Sequence, residues 1–237
     1  MQSAKAREKL KKVFGTWNPF ELCLLFFSIL LVSVVFFAGK KKDAWSYCSS
    51  ISGIVCVLFT AKGNPLAQYI SIAFAALYSI TAYFSKYYGE MLIYLFLMIP
   101  IHFCCIISWL KNRKSPNAAE VKVNSLSKTE YLVMGFFDIL VTIAFYFLLK
   151  ALGTSELIVS TISLVTSVSA AYLMLRRSEY YALCFIANDI VLLVLWGLEL
   201  KRDLSSLPTL ITFCVFLLND VYGFISWKKR KKAQKNA

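Results

Sequence analysis

Charged residues are scarce in this chain, and they are confined to short segments. Asp, Glu, Lys and Arg make up 16% of the 237 residues, whereas a typical soluble domain carries about 25%. Long uncharged stretches separate the charges, and 59% of all residues are hydrophobic. Where water is absent such a stretch must satisfy its own backbone hydrogen bonds, so membrane-crossing helices are predicted. This composition excludes a soluble domain.

Several sequence patterns that are typical of enzymes and metal sites are also absent. The seven cysteines include no CxxC pair and lie in apolar segments, where free cysteine behaves as a small hydrophobe. The one histidine, His102, has no partner at metal-ligand spacing, so packing is favoured over a proton relay. Because neither a catalytic triad nor a phosphate-binding loop is visible, we expect no catalytic residue, no metal and no cofactor. A membrane-embedded enzyme or scaffold remains the alternative from a different class.

Eight apolar segments are long enough to cross a membrane, which takes about 20 residues. They cover residues 19–38, 44–61, 63–85, 91–110, 131–149, 157–175, 180–198 and 205–227. The first segment is too long for the apolar part of a signal peptide, and Lys40–Lys42 occupy the place of a cleavage site. The predicted fold is therefore an all-α membrane protein with eight spans.

Lys and Arg are divided unequally between the two sides that eight spans define. The side that carries both termini collects 19 of the 26 basic residues, and the opposite side collects 7. Basic loops stay in the cytoplasm, so both termini are predicted to be cytoplasmic in a cell-membrane protein. The net charge of +13 is interpreted as this topology signal. Nucleic-acid binding is not favoured, because the basic residues lie in short loops and tails.

A short internal repeat divides the chain. Ile107-Ser108-Trp109 and Ile225-Ser226-Trp227 each end a span and are each followed by basic residues. We interpret spans 2–4 and 6–8 as two parallel three-helix units, with span 5 as a linker that restores the orientation. The predicted parts are 1–43 (basic tail and extra helix), 44–114 (first unit), 115–156 (loop and linker) and 157–237 (second unit and basic tail). Parallel repeats occur in transporters, with the substrate site between the halves.

Four acidic residues lie inside predicted spans, where an isolated charge is costly. They are Glu21, Asp138, Asp189 and Asp220. Asn188-Asp189 and Asn219-Asp220 lie at similar depth, about 10–15 Å from the ends of their spans. These pairs predict either a polar floor that binds a hydroxylated ligand or a structural network between helices. Glu21 is near a span end and is expected to be an exposed interfacial carboxylate.

Two further stripes are candidates for ligand contact. Asn188, Leu192, Trp196 and Glu199 share one helical face, on which Trp196 either stacks on a ring or belongs to an interfacial aromatic belt. Gln68 begins a small polar stripe on span 3, a pattern that most often marks close helix packing. Gln68 is the member to test for ligand contact.

Several stretches resemble the PnuC family of vitamin transporters over about residues 44–232. They are Ala61-Lys62-Gly63-Asn64, Tyr87–Met91, Asn188 and the run from Asn219 to Trp227. The resemblance implies a 3+1+3 fold related to the SWEET sugar transporters, often assembled as a homotrimer. It also implies facilitated diffusion of a nucleoside-like vitamin, typically nicotinamide riboside, which a cytoplasmic kinase then traps by phosphorylation. Neither ion coupling nor ATP is implied.

One departure from the family pattern concerns the substrate. Nicotinamide riboside members carry a Trp-x-x-Trp-x-x-x-Asn run, whereas here Tyr181 and Cys184 precede Asn188. Relatives that carry thiamine, riboflavin or deoxynucleosides share the fold, so these solutes remain alternatives. The predicted substrate-binding residues are Asn188, Tyr181, Trp196, Gln68, Asn219, Asp220, Tyr222 and Asp189.

Overall fold

Eight long helices account for most of the computed structural model, which describes residues 17–39, 43–115 and 118–236. They are α1 (Pro19–Ala38), α2 (Ala44–Ala61), α3 (Leu66–Phe84), α4 (Tyr88–Lys111), α5 (Lys128–Ala151), α6 (Leu157–Leu175), α7 (Tyr181–Leu200) and α8 (Leu207–Lys235), which follows a 3₁₀ turn (Leu204–Ser206). Each is long and apolar enough to cross a membrane, so the prediction of eight spans is confirmed. The basic residues of 1–16 and Lys40–Lys42, which the topology prediction uses, lie outside the described residues.

Capping residues fix where two of these helices begin. At α1, Asn18 Oδ1 accepts from the Glu21 N–H at 2.8 Å, and Glu21 Oε2 accepts from the Asn18 N–H at 2.8 Å. Ser127 and Glu130 form the same reciprocal arrangement at α5. Such a capping box satisfies backbone N–H groups that have no partner within the helix. It explains why α5 begins three residues before the apolar segment does.

Helix α4 differs most from its predicted span. It begins at Tyr88 instead of residue 91, which brings Glu90 into its first turn. The segment Ile93–Met98 is π-helical and leads into Pro100. Proline has no N–H to donate and clashes with the carbonyl group four residues earlier in a regular helix. The widened turn relieves that conflict, and π-helical turns are frequent at functional sites.

The helices pack as two groups of three. Helix α3 lies against α2 and α4, and α7 lies against α6 and α8. The groups meet where α2 contacts α8 and where α4 contacts α6, so the first helix of each group touches the last helix of the other. Helix α5 packs chiefly on α6, and α1 packs on α2 and α8. This arrangement supports the proposed division into two three-helix units, which stays a prediction.

The two repeated tryptophans bind across the boundary between the groups. The Trp109 indole N–H donates to the Met174 carbonyl at 3.0 Å, and the Trp227 indole N–H donates to the Thr60 carbonyl at 2.9 Å. Each acceptor lies near the end of the first helix of the opposite group. The two indole rings contact each other, with 5.6 Å between centroids. We call this end of the bundle the tryptophan end.

A strap of ten residues, 118–127, crosses the tryptophan end. The Val121 N–H donates to the Gly63 carbonyl at 3.0 Å, and the Asn124 N–H donates to the Arg177 carbonyl at 2.9 Å. The strap therefore binds the α2–α3 turn and the α6–α7 turn, one from each group. Gly63 has φ +62°, a backbone conformation that glycine adopts without steric cost.

Replacing either repeated tryptophan should loosen the tryptophan end. We expect Trp109→Phe and Trp227→Phe each to lower the free energy of unfolding by about 1 kcal/mol, because each variant loses one buried hydrogen bond, although the carbonyl keeps a backbone donor. The half-exposed Trp45 at the opposite end gives the matched control, Trp45→Phe, for which a smaller loss is expected. Unfolding by SDS in mixed micelles measures all three. A loss confined to one of the two variants would contradict equivalent roles.

Candidate functional site

A central cavity lies between the two groups of helices, and all six of their helices contribute to its wall. The space there that no atom fills is about 560 Å³, a figure that includes adjoining open solvent, and little of it is wide enough for water. In this conformation the cavity is thus narrower than a nucleoside. Its lining residues are Cys56, Val57, Thr60, Ser71, Phe74, Tyr94, Met98, His102, Met174, Tyr181, Phe185, Asn188, Asp189, Phe216 and Asp220. No Lys or Arg is among these described lining residues.

Four of the eight predicted site residues line this cavity. They are Tyr181, Asn188, Asp189 and Asp220, and each is at least 95% buried. Gln68 lies one layer behind the wall, where its Oε1 is 2.8 Å from Nδ1 of the lining residue His102. Because an amide oxygen only accepts, Nδ1 carries the proton of that bond.

The other three predicted residues lie outside the cavity wall. The Trp196 indole N–H donates to the Tyr78 hydroxyl at 2.8 Å, and the indole is 1% exposed, which rules out an interfacial belt. The Asn219 amide donates to the Val215 carbonyl of its own helix at 2.9 Å. Tyr222 faces α1 and donates to Glu21 Oε1 at 2.7 Å.

The expectation of an exposed Glu21 is wrong. This carboxylate is 4% exposed and pairs with the Lys62 ammonium group, with 2.6 Å between Nζ and Oε2. The Lys62 ammonium group also lies over the Trp17 ring, 5.2 Å from its centroid. Glu21 is buried because α1 packs over the α2–α3 turn, where a cation and the Tyr222 hydroxyl compensate for its desolvation. Glu21 and Lys62 are 41 positions apart in the sequence, so no local pattern predicts that they pair.

Hydroxyl groups of α6 hold the Asn188 carboxamide in place. The Thr166 and Ser167 hydroxyls donate to Asn188 Oδ1 at 2.8 and 3.0 Å. The Ser163 hydroxyl lies 3.2 Å from the same oxygen. With its oxygen occupied in this way, Asn188 has its amide nitrogen left as the donor for a ligand. The serines and threonines of α6 thus orient a cavity residue.

Glu90 is a buried acidic residue that the span prediction misses. It is 0% exposed, and its Oε1 accepts from the Ser163 hydroxyl at 2.6 Å. Glu90 thereby connects α4 to the hydroxyl groups around Asn188. The signal that could have found it is its place in the Tyr87–Met91 run, one residue before the predicted start of span 4.

Asp189 of α7 and Asp220 of α8 both line the cavity, and both are buried. Asp138 is separate from this site, since it accepts from the Ser169 hydroxyl at 2.5 Å on the α5 side of α6.

An aromatic layer separates the central cavity from the end opposite the tryptophan end. The Tyr78 ring contacts the Tyr94 ring at 4.5 Å, the Phe213 ring at 5.6 Å and the Trp196 ring at 6.1 Å between centroids. Beyond this layer lies a second, wider cavity of about 1140 Å³ with adjoining open solvent included, and its lining contains Trp45, Phe84, Trp196 and Glu199. The aromatic layer thus lies between the two cavities.

Tyr87, next to this layer, links the two groups. Its hydroxyl donates to the Leu195 carbonyl at 3.0 Å and lies 3.2 Å from Glu199 Oε2. Burial raises the pKa of the Tyr87 phenol, and the nearby Glu199 carboxylate raises it further. The hydroxyl therefore keeps its proton and remains a donor across the physiological range.

Comparison with known proteins covers nearly the whole chain. The nicotinamide riboside transporter PnuC of Neisseria mucosa is 30% identical over 228 residues, which is 94% of this chain and 86% of that protein. The protein of the same name from Haemophilus influenzae is 27% identical over 230 residues, covering 96% and 97%. A crystal structure of the vitamin B3 transporter PnuC superposes with a TM-score of 0.83 at 28% identity, covering 94% of this chain and 96% of that chain.

A family model also matches most of the chain. A family model described as nicotinamide mononucleotide transporter matches residues 43–229, from the residue before α2 into the basic end of α8. The matched range contains α2 to α7, most of α8 and every residue that lines the central cavity, while α1 precedes it. This chain therefore belongs to the nicotinamide mononucleotide transporter family of membrane proteins.

Proposed function

We propose that this protein carries nicotinamide riboside across a membrane by facilitated diffusion. The observation that carries the proposal is the central cavity, which combines aromatic rings, one oriented carboxamide and two carboxyl groups without a Lys or Arg. Membership of a transporter family and the names of the two relatives support the same solute. An enzyme is not supported, because the family is one of transporters.

The chemistry of the solute fits this lining. Nicotinamide riboside contains a positively charged pyridinium ring, a carboxamide and a ribose with free hydroxyl groups. Tyr94, Tyr181 and Phe185 offer aromatic faces for a flat cation. The Asn188 amide is available to the carboxamide or ribose, and Asp189 and Asp220 provide negative charge.

The same lining disfavours the mononucleotide that gives the family model its description. A phosphate group would bring up to two negative charges beside Asp189 and Asp220. No Lys or Arg among the described lining residues is available to neutralise them, and like charges in a desolvated cavity repel strongly. We therefore assign the riboside instead of the phosphorylated form. Phosphorylation by a cytoplasmic kinase would then retain the solute after transport.

For transport, the cavity must open to each side in turn. The tryptophan end is closed by Trp109, Trp227 and the strap, and the opposite end is closed by the aromatic layer. Binding energy from the solute must widen the cavity, since its present conformation is narrower than a nucleoside. Rocking of the two groups about the cavity would open one end while the other stays closed, the usual motion of repeat-based transporters.

Thiamine is the second candidate. Tyr181 and Cys184 replace the two tryptophans of the nicotinamide riboside pattern, and thiamine is also an aromatic cation without a phosphate. The acidic lining fits it for the same electrostatic reason, whereas neutral riboflavin and deoxynucleosides gain nothing from the two carboxyl groups.

Isothermal titration of the purified protein separates these solutes. We expect nicotinamide riboside to bind, and nicotinamide mononucleotide to bind at least about tenfold more weakly, which corresponds to about 1.4 kcal/mol. Clear affinity for thiamine or thymidine without affinity for nicotinamide riboside would overturn the assignment. Equal affinity for the riboside and the mononucleotide would overturn the electrostatic argument.

We further propose that both termini are cytoplasmic and that the protein lies in the cell membrane. The unequal division of basic residues supports this orientation, which places the tryptophan end and the strap on the cytoplasmic side. A green fluorescent protein fused after residue 237 tests the orientation, because it becomes fluorescent in the cytoplasm. A dark fusion of a well-expressed protein would contradict it.

A homotrimer is proposed as the assembled form. Helix α5 supports the proposal with a broad apolar face, on which Leu132, Phe136 and Phe147 are 74, 65 and 64% exposed. Gly135, Asp138 and Thr142 line a groove along the same helix, a pattern of small and polar residues that favours helix association in membranes. Native mass spectrometry in detergent tests this, and a monomer under all gentle conditions would contradict it.

A further inference from the structure

Glu90 is two contacts away from the carboxamide that the cavity offers to the solute. Its side chain is 0% exposed in the first turn of α4, and its Oε1 accepts from the Ser163 hydroxyl of α6 at 2.6 Å. The Ser163 oxygen is in turn 3.2 Å from Asn188 Oδ1. Asn188 lines the central cavity, whereas Glu90 is outside the described lining residues. Because α4 and α6 belong to different groups of helices, Glu90 links one group to a site residue of the other.

The backbone of α4 permits this contact at Gly89. A Cβ atom at this residue would lie 3.1 Å from Ser160 Cβ and 3.2 Å from Leu149 Cδ1, whereas carbon atoms pack best at about 3.5–4.0 Å. A larger residue would therefore push the first turn of α4 away from α5 and α6. Gly89 thus lets this turn approach α6 closely enough for Glu90 to reach Ser163.

Glu90 also determines where the Ser163 proton is donated. Serine hydroxyls inside helices commonly donate to the carbonyl group four residues earlier, as Ser71 and Ser79 do here at 2.8 and 2.7 Å. A hydroxyl group has one proton, and Ser163 donates its proton to Glu90 instead. Without an acceptor at residue 90, we expect the Ser163 hydroxyl to turn back to the Val159 carbonyl of its own helix.

The orientation of Asn188 depends on this hydroxyl. Three hydroxyl groups of α6 surround Asn188 Oδ1, those of Ser163, Thr166 and Ser167. They hold the carboxamide oxygen toward α6, so the amide nitrogen is left for the solute. If Ser163 turned away, the carboxamide would be freer to rotate. The solute would then have to order it on binding, which lowers affinity.

The second oxygen of Glu90 indicates that stability alone does not account for this residue. Among the described residues, Glu90 Oε2 is one of the buried polar atoms without a hydrogen-bond partner. Burying an unpaired polar atom is costly. An apolar side chain of similar size would pack between the same helices without that cost. Glu90 therefore stabilises the fold less well than a simple packing residue would.

We propose that Glu90 is a positioning residue for solute binding, which acts through Ser163 to hold the Asn188 amide toward the solute. The inference rests on the proposed function, because it assumes that Asn188 binds nicotinamide riboside. Glu90 itself does not touch the solute in this account. Its contribution to affinity is the fixed orientation of another side chain, which connects the position of α4 to the site on α7.

Two replacements of Glu90 test what the residue supplies. We expect Glu90→Leu to raise the dissociation constant for nicotinamide riboside about tenfold, because Ser163 loses its acceptor. Glu90→Gln should stay within about threefold of the wild type. Its amide oxygen can still accept from Ser163, and its amide nitrogen replaces Oε2, which has no hydrogen bond to lose. Isothermal titration of the full-length protein measures both variants.

Asp138→Leu is the matched control. Asp138 is also a buried acid that accepts from a serine hydroxyl of α6, that of Ser169. This pair lies on the α5 side of α6, away from Asn188. We expect Asp138→Leu to leave the affinity within about twofold, so a tenfold loss in Glu90→Leu would not be a general effect of removing such a pair.

A mutant cycle with Asn188 separates positioning from a structural role. If Glu90 acts through Asn188, Glu90→Leu should weaken binding by less than about twofold in an Asn188→Ala protein, where no carboxamide remains to be oriented. A structural role would give the same tenfold loss in both backgrounds. Ser163→Ala provides a second route, since it removes one hydroxyl group and should raise the dissociation constant about as much as Glu90→Leu.

The outcomes distinguish this inference from the proposed function. Unchanged affinity in folded Glu90→Leu or Ser163→Ala protein would overturn the inference and leave the transport assignment intact. An equal loss in Glu90→Gln and Glu90→Leu would also overturn it, because the charge of Glu90 would then matter instead of its bond to Ser163. Failure of the folded wild-type protein to bind nicotinamide riboside would overturn both.

Discussion

Replacing Asn188 by alanine is expected to weaken nicotinamide riboside binding by about 1–3 kcal/mol, the loss that follows removal of one partner from a buried polar pair. This corresponds to roughly a 5- to 150-fold increase in the dissociation constant. Asn188 lines the cavity, and its amide nitrogen is the group that α6 leaves free for the solute. Isothermal titration of the wild-type protein and the variant measures the difference.

Asn219→Ala is the matched control for this prediction. Asn219 is also a fully buried asparagine, but it donates to a carbonyl of its own helix and lies outside the cavity wall. We expect Asn219→Ala to reduce stability and to leave the affinity within about twofold, a difference below 0.5 kcal/mol. Unchanged affinity in a folded Asn188→Ala protein would remove Asn188 from the site. An equal loss in both variants would mean that the effect is structural.

Replacing Lys62 by methionine should lower the free energy of unfolding by about 3 kcal/mol, the lower end of the range for breaking a buried ion pair. The variant keeps most of the apolar volume of the side chain but leaves the Glu21 carboxylate buried without its cation. The Glu21 carboxylate keeps the Tyr222 hydroxyl as a hydrogen-bond donor. Glu21 and Lys62 also lie at the ends of their helices. Both facts limit the loss of stability. Unfolding by SDS in mixed micelles measures it.

A mutant cycle separates the ion pair from the packing of the lysine side chain. The double variant Glu21→Gln with Lys62→Met should lose less than the sum of the two single losses, by roughly 1 kcal/mol or more, because the charges interact. The exposed Lys150 provides the control variant Lys150→Met, for which a change within about 0.5 kcal/mol is expected. Strict additivity in the cycle would show that the ion pair contributes nothing.

Hydropathy predicted the membrane helices well, because each helix must satisfy its own backbone within about 20 apolar residues. Helices α1, α2 and α6 have the predicted bounds. The bounds of α4 and α5 were less accurate, since a polar first turn and a capping box lie outside the apolar segment. Glu90 was missed for this reason. Its burial depends on Ser163 of another helix, which no local pattern around Glu90 reveals.

The site was only partly predictable for a similar reason. Depth along a helix follows from sequence, so the prediction that Asp189 and Asp220 lie at similar depth agrees with their place in one cavity wall. Rotation of each helix about its axis depends on its neighbours. Tyr222 therefore faces α1 instead of the cavity, and Trp196 lies in the aromatic layer beyond it. The repeated tryptophans were identified from sequence, but their acceptors on the opposite group required the fold.

Counterflow in proteoliposomes tests the central claim most directly. Vesicles that contain the protein are loaded with unlabelled nicotinamide riboside and diluted into a trace of the labelled solute, with no ion gradient and no ATP. The proposed function predicts a transient accumulation of label above its external concentration, because facilitated diffusion exchanges solute across the membrane. Accumulation no greater than in protein-free vesicles, from protein that binds nicotinamide riboside, would contradict it.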